Sequence, residues 1–178
     1  MRTVPKWIAT GLLLLAAPLS ASAEPAGGKA CDSFLWPLDT EIAWFKADDS
    51  EKLASGATLV GVPADKAISL SLLPTPKVEL PAKPTSTPKA DDAEKFSGFV
   101  TIEAFPEPGA YQVAISTSGW LDVVQNGTAL EAIAHTGAPQ CDLLRKSVRF
   151  EIGPGPVSIQ VSGVPRDSIK IAVRPAAD

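Results

Sequence analysis

Short apolar runs of period two, each closed by a turn signal, fill the second half of this chain and restrict it to a β architecture. Tyr111, Val113 and Ile115 alternate along one run, and Val148, Phe150 and Ile152 along another. Val157, Ile159 and Val161 repeat the pattern, as do Ile169, Ile171 and Val173. Alternation of this kind turns one side of each strand toward a core. Residues 96–105 and 120–125 are also strand-like. The punctuation is equally regular. Pro106-Glu107-Pro108-Gly109, Ser118-Gly119, Gly153-Pro154-Gly155-Pro156 and residues 163–167 turn the chain, and Asn126-Gly127 is a tight-hairpin signal with residues 128–135 as its return arm. Strands recurring every ~8–12 residues between turns predict a mainly β fold, an antiparallel β-sandwich of jelly-roll-like form.

The first half carries the single helical signal. Leu38, Ile42 and Phe45 share one face at helical spacing, Pro37 suits a first turn, and Asp39 and Glu41 sit near the positive end of the dipole. This predicts a short N-terminal helix over residues 37–47, packed onto the sheet by Trp36 and Trp44. A second helical turn is expected at residues 51–53, ending at Gly56. The period then changes to two: residues 58–62 read as a strand, and Ile68, Leu70 and Leu72 alternate through residues 66–73. Residues 74–94 hold five prolines (Pro74, Pro76, Pro81, Pro84, Pro88) and few large apolar groups. They predict a long, mobile loop, interrupted at most by an edge strand over residues 77–80. The part before this loop has too thin a core to stand alone, so residues 24–178 are read as one domain.

The amino-terminal end reads as a cleavable secretory signal of bacterial type. Arg2 and Lys6 precede an apolar stretch around Leu12–Leu15, Pro18 breaks it, and Ala21-Ser22-Ala23 places cleavage before Glu24. The apolar run is shorter than the ~20 residues of a spanning helix, so no membrane span is expected after cleavage. Loss of Arg2 and Lys6 with residues 1–23 takes the net charge from −4 to −6. Such an acidic chain, without a Lys/Arg cluster in its sequence, argues against nucleic acid as a partner. The expected location is periplasmic or secreted. In that oxidising setting Cys31 and Cys141, the two cysteines of the chain, are expected to form a structural disulfide.

Candidate chemistry is sparse. His135 is the lone histidine and stands at a strand end. A small hydrolase would pair it with Ser116 or Ser118, with Asp122 close in sequence, but no G-x-S-x-G or S-x-x-K motif accompanies them. A jelly-roll metal-dependent dioxygenase would want two histidines and a carboxylate on one face, and only one histidine is available. Asp48-Asp49 and Asp91-Asp92 lack calcium-loop spacing and read as solvated acids. Asn126-Gly127-Thr128 matches a glycosylation pattern, which the tight turn already explains. Trp120 beside Asp122 would suit a polar ligand with an apolar face, so Trp120, Asp122 and His135 are the candidate ligand-binding residues. No metal site and no cofactor are expected.

Two stretches resemble known proteins. The run Cys31-Asp32-Ser33-Phe34-Leu35-Trp36-Pro37-Leu38-Asp39-Thr40-Glu41 resembles the start of small exported proteobacterial proteins of uncharacterised function. The G-x-Y-x-V run from Gly109 to Val113, followed by Trp120 and the hairpins, resembles bacterial pre-peptidase C-terminal-type sandwiches over residues 96–175. Neither resemblance supplies catalytic residues, and the second implies an accessory or binding role. The resulting expectation is a non-enzymatic periplasmic domain that binds a protein or small ligand, or supports the envelope. The alternative is a periplasmic hydrolase using His135, and a weaker one is the metal-dependent dioxygenase.

Overall fold

The structure, a computed structural model, describes Met1, residues 31–87 and residues 89–177. Residues 2–23 of the expected signal peptide lie outside the described residues. Among these residues one α-helix, α1 (Asp39–Lys46), precedes the strands β1 (Glu51–Ala54), β2 (Ala57–Gly61), β3 (Ile68–Ser71), β4 (Leu73–Pro74), β5 (Phe96–Ala104) and β6 (Gly109–Ile115). The chain continues through β7 (Trp120–Gln125), β8 (Thr128–Ala129), β9 (Ala132–Gly137), β10 (Lys146–Ile152), β11 (Val157–Val164) and β12 (Ser168–Pro175).

These strands form two six-stranded sheets, β1-β3-β12-β6-β10-β9 and β2-β5-β11-β7-β8, with β4 added beside β5. In chain order β3, β6, β10 and β12 of one sheet alternate with β5, β7 and β11 of the other, and with short β8 beside β7 the sheets read β3-β12-β6-β10 against β5-β11-β7-β8, the interleave of a jelly roll. The alternating residues explain why the layers stack. Val113, Ile115, Phe150, Ile152, Ile169 and Ile171 of one sheet meet Val100, Ile102, Val123, Val157, Ile159 and Val161 of the other in a single buried cluster. Each such side chain contributes roughly 1.5–3 kcal/mol by leaving water.

The sheets are mixed, not purely antiparallel. β1 runs parallel to β3, and β2 runs parallel to β5. The expected helical turn at residues 51–53 is instead strand β1, because Glu51 N–H reaches Ala67 O (2.8 Å) and the strand pairs with β3 throughout. The chain then leaves one sheet for the other at Ser55-Gly56. Ser55 N–H is held by Ser71 O (2.9 Å), Gly56 N–H by Phe99 O (2.8 Å), and Gly56 takes a φ of 89° that favours glycine. On the opposite side the expected return arm 128–135 is divided. After the Asn126-Gly127 turn, β8 pairs with β7, and β9 then crosses to pair with β10. Both sides of the sandwich are thus closed by chain passing between sheets, which limits exposed strand edges.

The helix falls within the expected span but is not the N-terminal element, since residues 31–38 precede it. It lies on the outer face of the first sheet, where Ala114 and Ala172 leave room for Leu38 and Phe45. Trp36 and Trp44 pack at its margins, under the guanidinium groups of Arg149 (4.3 Å) and Arg174 (5.7 Å). Glu41, only 1 % exposed, accepts from Gln112 Nε2 (2.6 Å) and pairs with Arg174. Lys170 Nζ caps the helix end by donating to Phe45 O (2.7 Å) and Ala47 O (2.8 Å). Cys31 and Cys141 are joined, with Cα atoms 4.7 Å apart, which ties this segment to the loop after β9.

Candidate functional site

Two polar residues interrupt the otherwise apolar strands β7 and β11. Asp122 and Gln160 lie directly opposite one another in the β7–β11 register. Their neighbours Leu121, Val123, Ile159 and Val161 point into the core, so this pair faces outward from the second sheet. Yet Asp122 is 4 % and Gln160 1 % exposed, because the Pro-rich segment crosses over them. Gln160 holds Ala82 through both its amide atoms, accepting from Ala82 N–H (3.1 Å) and donating to Ala82 O (3.0 Å). Asp122 accepts from Thr85 N–H (3.3 Å), from the Thr85 hydroxyl and from Gln160 Nε2 (3.2 Å). The expected mobile loop is therefore a strap pinned to the sheet. It carries no edge strand at residues 77–80. Short 3-10 turns at Thr75–Lys77 and Asp92–Glu94 begin and end it.

The strap forms one wall of a cleft of about 470 Å³ at the end of the sandwich where β7 and β10 begin and β9 and β11 end. Trp120 and His135 both line it, together with Arg145 and Lys146. Trp120 is 43 % exposed, and its orientation is fixed from beneath. The indole Nε1–H donates to Asp122 Oδ1 (2.9 Å) and Thr85 Oγ1 (2.9 Å). Asp122 is thus not on the cleft wall. Its carboxylate is spent holding the indole and the strap. His135, opposite Val148 in the β9–β10 register, is exposed at the edge of the first sheet. Among the described residues it receives no hydrogen bond from Ser116 or Ser118, and Ser116 Oγ accepts from Lys170 N–H (3.0 Å). Gly119 lets the β6–β7 turn close this end, since a Cβ there would meet Val164 Cγ2 at 2.8 Å.

Arg145 and Lys146, with Thr85 and Gln160, escape a reading of the sequence alone. A lysine opening a strand looks like any solvated charge. The signal for the clamp is present, however, in the lone polar residues at outward positions of two apolar strands. Lys146 Nζ sits 5.0 Å from the centroid of the Trp120 ring. Desolvation by these surroundings holds its ammonium below the usual lysine value of 10.5; the Asp122 carboxylate opposes this, and neighbouring Arg145 adds to it. In the window between that lowered value and 10.5, the unfolded chain binds more protons than the folded one. Stability conferred at this site therefore rises with pH through that window. Lys146→Met should flatten the rise, as read from urea midpoints measured across alkaline pH. Parallel curves for the two proteins would contradict the assignment.

Among the described residues, no group of three or more His, Cys, Asp or Glu side chains is arranged to hold a metal ion. Among the described residues, no helix is long and apolar enough to cross a membrane. Fold and site together define a disulfide-bonded jelly-roll sandwich with a strapped cleft at one end. No protein-family model matches the chain, and no curated protein is significantly similar to it.

Proposed function

We propose that this chain is exported, matured at Glu24, and works in the periplasm as a binding domain without chemistry of its own. Its ligand site is the end cleft at Trp120 and His135. The observation that carries this reading is the clamp beneath the cleft. Asp122 and Gln160 fix both the strap and the indole, so the wall and the platform are set before any ligand arrives. Preorganisation of that kind raises affinity by reducing the ordering cost of binding. The volume also falls within the range of small-ligand sites. The disulfide accords with an oxidising compartment.

The test has two parts. N-terminal sequencing of protein recovered from the periplasm should begin at Glu24. Wild type, Trp120→Ala and His135→Ala are then compared on an array of glycans and peptides. Binding should fall at least ~10-fold in the tryptophan variant, the loss of an aromatic platform being worth about 1.4 kcal/mol or more. Undiminished binding by both variants would remove the cleft from consideration.

A further inference from the structure

The sign of charge in the cleft is opposite to that of the chain. Lys89, Lys95, Arg145 and Lys146 line it, against the single carboxylate of Asp92. Lys95 is already neutralised, by Asp91 (2.9 Å) and Asp92 (3.5 Å), and Asp92 Oδ2 also accepts from Lys89 N–H (2.7 Å). Arg145 and Lys146 form no ion pair among the described residues. A protein whose net charge is −4 therefore concentrates uncommitted cations at one place. The carboxylate that acts on Lys146, that of Asp122, accepts from four other donors and lies beneath the floor, out of ion-pair contact. A partly desolvated ammonium with no carboxylate in direct contact is stabilised further by an anion that pairs with it.

The rest of the lining narrows the choice of anion. Ser86, Thr87, Ser118 and Ser162 supply hydroxyls that both donate and accept, around the partly exposed indole of Trp120. Hydroxyls beside an aromatic surface suit a polyol ring, which has polar edges and an apolar face. We infer that the ligand of this cleft is an acidic saccharide, its carboxylate at Lys146 and Arg145 and its ring against Trp120. The inference rests on the binding reading above and adds the ligand class to it.

The experiment is a titration of the 15N-labelled full protein with D-glucuronate, D-glucose and inorganic phosphate, followed at the Trp120 indole N–H. Glucuronate should shift this resonance saturably. Glucose and phosphate should each bind at least ~10-fold more weakly, because each lacks one of the two matched contacts. Lys146→Met should weaken glucuronate by a similar factor and leave glucose unchanged. Glucose binding as well as glucuronate would overturn the acidic class while leaving the binding reading standing. Phosphate matching glucuronate would overturn the saccharide. No shift with any of the three would overturn the inference as a whole, and the array comparison would then decide the binding reading separately.

Discussion

Replacing Cys31 and Cys141 together by alanine, or reducing the bridge, is expected to lower the unfolding free energy by about 4 kcal/mol. The bridge spans 110 residues of sequence, and closing a loop of that length removes roughly 4–5 kcal/mol of chain entropy from the unfolded state. Against a typical domain stability of about 5–15 kcal/mol, that is a large fraction. The structure also says where the loss is felt first. The main core between the sheets contains neither cysteine, whereas the smaller cluster under residues 31–46 contains both, and is otherwise built largely from alanines with Leu38, Phe45 and Leu144. Beyond the disulfide, Leu35 N–H to Thr136 Oγ1 (2.9 Å) holds this segment near β9. Urea unfolding with and without reductant measures the total. The Trp36 and Trp44 environments should loosen before the sandwich melts. A shift in stability below about 1 kcal/mol would mean that packing alone anchors the segment.

The parts of the fold that were legible in the sequence are those where one face of a strand is buried. β6, β10, β11 and β12 follow from alternation because a slip of one residue would expose Val113 or Ile159. A sandwich of jelly-roll-like form follows from the same strands and their spacing. What local pattern does not carry is the partner of each strand. Glu51-Lys52-Leu53 has ordinary helix formers, and its pairing with β3 overrides them. Residues 128–135 read as one arm, and nothing in their alternation marks the crossing between sheets. The Pro-rich segment shows the limit most clearly. Its own composition describes a loose loop, while the residues that hold it, Asp122 and Gln160, are 37 or more positions away. At the site, Trp120 was legible as an aromatic beside a carboxylate and His135 as the lone histidine at a strand end. The cations that give the cleft its sign were not, because only folding brings Lys89 of the strap and the adjacent Arg145 and Lys146 to the same cleft as Trp120.

Asp122→Ala should cost about 3 kcal/mol and free the strap, and the two effects have a single origin. The carboxylate collects four donors, from Thr85 N–H, the Thr85 hydroxyl, Trp120 Nε1 and Gln160 Nε2. Hydrogen bonds to a charged group are worth roughly 1.5–3 kcal/mol each, and bonds that share one acceptor do not add. Some donors keep a second partner: Gln160 retains Ala82 O, and the indole retains Thr85 Oγ1. The loss should therefore stay well below the sum. Asp122→Asn keeps the shape but turns an amide donor toward a donor neighbour, so it should lose less. Limited trypsin digestion under native conditions reads the second effect, with the Lys89–Ala90 bond as the cleavage point in the strap, since the Lys83–Pro84 bond resists trypsin. Cleavage there should accelerate in Asp122→Ala, since local opening no longer has to break the clamp. Ile159→Ala provides the comparison. It removes about 2–5 kcal/mol from the core without touching the strap, so its strap should stay protected at matched stability. Equal cleavage in the two variants would show that the strap opens only with the whole sandwich. A strap that stays protected in Asp122→Ala would place its anchorage in Gln160 and the flanking 3-10 turns instead.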